Sequence, residues 1–174
     1  MTVKKNIICD KALELFAKEG YDAVPTSRIA KEAGVSEGLI FRHFGNKKGL
    51  LDAIIEEAEE KIAQVMGPVL LASKPTLVIK KFIETPFFIE PDEYDFWKLF
   101  FKIKWDERYT DRDLMQPVME KLSKAFEQLN YAHPQYETMI LNHLVYAISI
   151  AILREGLEGQ LPLKDFLIDK YKLD

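Results

Sequence analysis

Between Thr26 and Lys47 the chain interleaves hydroxyls, small residues and cations, namely Thr26, Ser27, Ser36, Gly38, Arg42, His43 and Lys47. Side chains of these types make hydrogen bonds and ion pairs; they do not make or break covalent bonds unaided. The chain has no nucleophile motif, no Gly-rich phosphate loop and no Cys/His ligand spacing, and its three histidines lie far apart in sequence. No catalytic residue, metal ligand or cofactor is therefore expected. What fits the set is a duplex, whose phosphate oxygens and base edges accept or donate hydrogen bonds.

Two short helices and a tight turn must position these groups. Thr26 caps or opens a helix carrying Ile29, Ala30 and Ala33, and Gly34 supplies the left-handed residue that stops it. Ser36 as N-cap restarts the chain into a second helix. There Ile40 and Phe44, four residues apart, share a narrow buried face, while Leu39, Arg42 and His43 fan out over the others. Gly45-Asn46 ends that helix and caps the next at Lys47-Lys48. Helix, Gly-containing turn and second helix make a helix-turn-helix, whose second helix enters a major groove. Ser36 and Gly38 at its start are small enough for close backbone approach, and its exposed amides attract phosphate.

The residues Ala12-Leu13-Glu14-Leu15-Phe16, Gly20-Tyr21, Ile29-Ala30, Ala33-Gly34-Val35-Ser36, Gly38 and Phe41-Arg42-His43-Phe44, with Lys47 and Leu50, resemble the TetR family of bacterial transcriptional regulators. The resemblance covers roughly the first fifty residues. It implies a homodimeric, all-helical repressor that releases DNA when a ligand binds the C-terminal domain. Position by position it implies phosphate contacts from Thr26, Phe41, His43 and Lys47. It implies base reading or approach by Ser27, Glu37, Gly38, Leu39 and Arg42. Phe41 stands where a tyrosine is common, which removes one neutral hydrogen bond, worth about 1 kcal/mol.

Charge supports this placement. The net charge is −4, but residues 1–50 hold nine Lys/Arg against six Asp/Glu, whereas residues 51–174 hold fifteen against twenty-two. The basic end carries the helix-turn-helix and the acidic body stays away from phosphates. At 174 residues the chain is long enough for a sizeable core without staples. The single Cys9 has no internal disulfide partner, and no apolar signal core follows the first lysines, so a cytoplasmic location is expected.

The expected fold is all-α: a three-helix DNA-binding domain over residues 1–47, joined to a helical ligand-binding and dimerisation domain over 48–174. An amphipathic helix over about 3–19 ends at Gly20. A lever-like helix from Lys47 carries Leu51, Ile54, Ile55, Ala58, Ile62, Val65 and Met66 until Gly67-Pro68 breaks it. A shorter helix from Thr76 stops before Pro86. After an irregular corner, Trp97, Phe101, Trp105 and Tyr109 form an i, i+4 row from Asp92 onward. Ten of the twenty aromatics lie between Phe82 and Tyr109. Phe82, Phe87, Phe88, Trp97, Phe101, Trp105 and Tyr109 thus make either the wall of a pocket for a small apolar or amphipathic effector, or plain core.

A helix from about Asp111 to Leu129 precedes a turn, and the helix from Pro134 to Arg154 is apolar nearly all round between Leu144 and Leu153. Asn142 and His143 argue against a membrane span, His143 reading as a satisfied core histidine. One side, Ile140, Tyr146, Ile150 and Leu153, is expected to face the subunit's own core. The other, Leu144, Ala147, Ile148 and Ala151, offers a small-residue strip to a second copy, so that this helix and the one before it from each subunit make a four-helix bundle at a two-fold dimer interface. A short helix packed by Phe166 and Leu167 closes the chain. The partners expected are a palindromic DNA operator, a second copy and an effector. The alternatives are a DNA-binding dimer with a solid aromatic core, controlled by a protein partner or by nothing, and a helical enzyme or structural module that merely contains the motif. The division of roles predicts that Arg42→Ala changes sequence preference by about 1–3 kcal/mol at one base pair. Lys47→Ala weakens every duplex alike and lowers the salt slope by about one. Binding isotherms on matched and mismatched duplexes at several salt concentrations check both.

Overall fold

The computed structural model of the chain describes residues 3–103 and 115–173, all of whose regular elements are helical. These form two compact units, the first of residues 3–61 with 92–103 and the second of residues 62–91 with 115–173. The division expected at residue 47 falls inside the first unit. The reason is packing: Leu50, Leu51 and Ile54, on the turns after Lys47, are buried in the same core as the DNA-binding helices.

In the first unit, α1 (Val3–Glu19) ends at Gly20 with φ 89°, and α2 (Thr26–Glu32) and α3 (Glu37–Phe44) follow. Gly34 and Gly45 stand at φ 64° and 76°, the left-handed turns that end α2 and α3. Ser36 has the extended N-cap backbone, but its hydroxyl makes no capping bond. Ile8, Ala12 and Phe16 of α1, Ile29 of α2, Ile40 of α3 and Leu50 of α4 (Lys47–Leu71) are buried together. Leu99 completes this core from α6 (Tyr94–Ile103), a helix eighty residues away in sequence from α1's end that packs on α1. The Lys102 ammonium donates to the Ala17 carbonyl in the last turn of α1, where a cation suits the helix dipole.

Helix α4 (Lys47–Leu71) runs from the first unit into the second. Gly67-Pro68 does not break it as expected. Pro68 lies within the helix, which continues for three more residues. A proline removes one N–H bond but still holds a helical φ, and here a single lost bond near the end of a 25-residue helix is tolerated.

The second unit contains α5 (Pro75–Glu84), a 3-10 turn over Thr85–Phe88, α7 (Gln116–Gln128), α8 (Pro134–Glu155) and α9 (Leu161–Lys170). The irregular corner before α6 therefore consists of 3-10 turns, the second over Pro91–Glu93. Helix α8 is long and apolar enough to cross a membrane by length and composition, yet it packs on α7 and on the Thr85–Phe88 turn. Its buried stripe is Thr138, Leu141, Val145, Ile148, Ser149 and Ile152, with Leu153. That corrects the expected core side, of which Leu153 alone is buried, with Ile140 51% exposed. His143 is exposed too, not a core histidine. A helix apolar nearly all round carries no periodic signal to say which side faces inward.

One glycine is fixed by space rather than by φ. A Cβ on Gly49 would stand 2.0 Å from the Phe44 carbonyl oxygen, and the Gly49 N–H donates to Asn46 Oδ1 at 2.8 Å, capping α4. Gly49→Ala is therefore expected to force α3 and α4 apart at a cost of about 3 kcal/mol. Calorimetry should show a midpoint lowered by about 6–12 °C; an unchanged midpoint would contradict the close approach.

Candidate nucleic-acid interface

Ile40 anchors α3 from below, fully buried, and Phe44 packs half-buried beside it. This leaves Ser36, Gly38, Phe41 and Arg42 exposed along the opposite side. Phe41 keeps 45% of its surface exposed, an apolar ring with no core reason to be there. Ser27 is exposed at the start of α2, and Thr26, Glu37, Leu39, His43 and Lys47 are half-buried around the rim. Leu39 packs against the core cluster, so it offers the groove only part of its side chain. His43 leans on Phe44, ring centroids 6.1 Å apart.

The cations divide into engaged and open ones. Lys11 and Lys18 flank Glu14 at 2.9 and 2.8 Å, and Arg28 meets Glu19 at 2.6 Å. The two lysines hold the Glu14 carboxyl down at about 2, although such exposed pairs add little stability. Lys48 pairs with Asp52 at 2.9 Å. Arg42, by contrast, forms no ion pair among the described residues, and its donors project from the exposed side of α3. Lys5 sits 5.4 Å from the Phe44 ring centroid.

Lys47 has a neighbour that the sequence did not disclose. Its ammonium lies 4.4 Å from the Tyr21 ring centroid and 5.9 Å from that of Phe16, and it donates to the Asp22 carbonyl at 3.4 Å. Partial burial lowers its pKa. Tyr21 stood in the sequence motif, but only the fold brings its ring beneath the start of α4. The hydroxyl of Thr26 likewise has a partner, donating to Glu37 Oε1 at 2.6 Å and so joining the starts of α2 and α3. Cys9 is buried, and burial pushes its thiol up to about 11, so it carries no thiolate near neutral pH.

The aromatic residues expected as a pocket wall are distributed over both units. Phe82 is fully buried in the second unit, where Phe87 is half-buried with the Lys164 ammonium 5.7 Å from its ring, and Phe88 is 68% exposed. Trp97 and Phe101 lie on α6 in the first unit, 6.4 Å apart between ring centroids. The Trp97 indole donates to Glu93 Oε2 at 3.4 Å, and Glu93 Oε1 meets the Lys61 ammonium at 2.5 Å, tying the start of α6 to α4. Trp105 and Tyr109 lie outside the described residues.

Of the residues expected at a dimer interface, Leu144 and Ala147 are exposed, Ala151 is half-buried and Ile148 is 5% exposed. All four line a groove of about 360 Å³ on the second unit, whose other wall is Gln160, Leu163, Phe166, Leu167 and Lys170 of α9 and the turn before it. Phe166 is 59% exposed there. Of the two residues expected to pack this closing helix, Leu167 is buried and Phe166 is not, because whatever would cover the ring lies outside a single chain.

Comparison with known proteins places the first unit. The model of the bacterial regulatory proteins of the tetR family matches residues 8–54. An uncharacterized HTH-type transcriptional regulator of Bacillus subtilis, YvkB, is 48% identical over 50 residues, which span 29% of this chain and about a quarter, 26%, of that protein. The HTH-type transcriptional repressor AcnR of Corynebacterium glutamicum is 24% identical over 97% of this chain and 94% of its own. The fold is also that of PfmR, a TetR family transcriptional regulator from Thermus thermophilus, with a TM-score of 0.72 at 18% identity over 96% of each chain.

Proposed function

The chain belongs to the tetR family of bacterial regulatory proteins, and we propose that it works there as a ligand-responsive, homodimeric transcriptional repressor that binds a palindromic operator. The first unit, with the helix-turn-helix of residues 26–44, reads DNA, and the second unit carries dimerisation and control. The observation that carries this reading is the outer side of α3, where Arg42 is exposed and unpaired among the described residues next to the small residues Ser36 and Gly38. An exposed guanidinium on a recognition helix matches the acceptors of a guanine edge. His43, Phe41 and Lys47 border it on the phosphate side and Ser27, Glu37, Gly38 and Leu39 on the base side, while the hydroxyl of Thr26 is engaged by Glu37.

Dimerisation is supported by the exposed apolar side of α8, where Tyr136, Met139, Ile140 and Leu144 are 63%, 55%, 51% and 37% exposed. Together with Phe166 they form an apolar surface that a soluble monomer rarely leaves open. A two-fold axis through α8 and α9 would cover it and bring two recognition helices to successive major grooves, roughly 34–36 Å apart. The effector is a small apolar or amphipathic molecule, a reading supported by the aromatic density between Phe82 and Tyr109. Neither catalysis, a membrane nor a cofactor belongs to this reading, and the location is cytoplasmic. If no apolar or anionic ligand raises the melting temperature, control by a protein partner replaces control by a ligand.

Selection of bound duplexes from a randomised pool at moderate salt is expected to recover an approximate palindrome; recovery of unrelated duplexes would overturn the assignment. The paired change Leu144→Asp with Phe166→Asp is expected to convert the dimer to a folded monomer and to reduce operator binding to that of a single half-site. Light scattering and titration of full and half operators check this.

A further inference from the structure

The contact between Thr26 and Glu37 sets two roles against each other. A threonine hydroxyl has a single hydrogen to donate, and both a carboxylate and a phosphate accept only. Here that hydrogen is given to Glu37 Oε1 at 2.6 Å, within the short range of hydroxyl-to-carboxylate bonds. While the contact lasts, Thr26 has nothing to donate to a phosphate oxygen. Glu37 forms no ion pair among the described residues, and its Oε2 accepts no hydrogen bond among them. It is the first residue of α3, on the helix that the proposed function sends into the major groove.

A carboxylate in that place repels the phosphate backbone and gains something only from a base edge that donates. Cytosine presents its N4 amino group there with no acceptor of its own beside it, whereas the N6 amino group of adenine stands next to the N7 acceptor, which repels the second carboxylate oxygen; a glutamate is therefore suited to cytosine. Helix α3 also gains from a negative charge in its first turn, but that stabilisation is indifferent to DNA sequence.

Resting on the DNA-binding reading above, we propose that Glu37 is a specificity-determining residue that requires cytosine at one base pair of each half-site, and that Thr26 is the positioning residue that holds the carboxylate toward it. Thr26 does not serve as a phosphate contact in this arrangement. The carboxylate acts by exclusion as much as by attraction. Any base that offers only acceptors at that pair leaves Glu37 desolvated against other oxygens, and the duplex is rejected.

The experiment is the same duplex selection carried out with the full-length wild type, Glu37→Gln, Thr26→Val, Thr26→Ser and the double variant Glu37→Gln/Thr26→Val, each first shown to keep its melting temperature. The wild type is expected to retain cytosine at one symmetric pair. Glu37→Gln should keep the remaining positions of the motif and lose discrimination at that pair by about tenfold. Thr26→Val should relax the same pair, Thr26→Ser should preserve it, and the double variant should go no further than Glu37→Gln. An unchanged motif with Glu37→Gln, a wild-type motif without cytosine at the affected pair, or a Thr26→Val protein that binds all duplexes more weakly with an unaltered motif would each overturn the proposal alone. A wild type that selects nothing would sink the DNA-binding reading itself, and this proposal with it.

Discussion

Helices of seven and eight residues such as α2 and α3 have no independent stability in water, because nucleation costs more than so few hydrogen bonds return. What holds them is a shared core in which Ile8 and Phe16 of α1, Ile29 of α2, Ile40 of α3 and Leu50 of α4 are each fully buried. Each such side chain contributes roughly 1.5–3 kcal/mol. That burial fixes the inner side of α3, and the outer side, with Arg42, Gly38 and Ser36, follows from it. The Gly49 contact with the Phe44 carbonyl then sets the distance between α3 and α4, so one missing side chain defines the rim on which Lys47 stands.

Much of this was legible because the DNA-binding helices obey local rules. Glycines at 20, 34 and 45 stop helices where left-handed backbone is needed, and Ile40 with Phe44 marks the buried side of α3 at a spacing of four. The starts and ends of α5 and α8 and the end of α7 also fall near the prolines and turn residues that marked them, while the start of α7 expected near Asp111 lies outside the described residues. Local rules failed where the deciding contact is distant in sequence. Nothing local about Leu99 announces that it belongs to a core built by α1 to α4, and Lys102 looks like a solvated cation until the Ala17 carbonyl is found beside it. Pro68 was misjudged because a breaker rule takes no account of how long the surrounding helix is.

Side-chain partnerships at the candidate site were equally hidden. Thr26 and Glu37 are eleven residues apart, and Lys47 and Tyr21 twenty-six, so neither spacing implies a contact. Yet both contacts bear on function. On the reading proposed above, Lys47 would have to leave the Tyr21 ring, or share its charge with it, to meet a phosphate. In the second unit, an α8 that is apolar nearly all round gave no indication of which side is buried. Ile148, expected at the outer surface, proved to belong to the buried stripe while still reaching the groove.

The passage of the chain between its two units has a bearing on how such proteins can be recombined. Residues 92–103 return to the first unit after the chain has entered the second, and Leu99 comes with them. The DNA-reading part is thus not a contiguous cassette. A chimaera that takes only the first fifty or sixty residues from a relative must accept a foreign α6 against its α1, with a mismatched side chain at the place of Leu99. Successful exchange of DNA specificity between members of this architecture is accordingly a two-segment graft, and the second segment is the one that a sequence alignment of the helix-turn-helix leaves out.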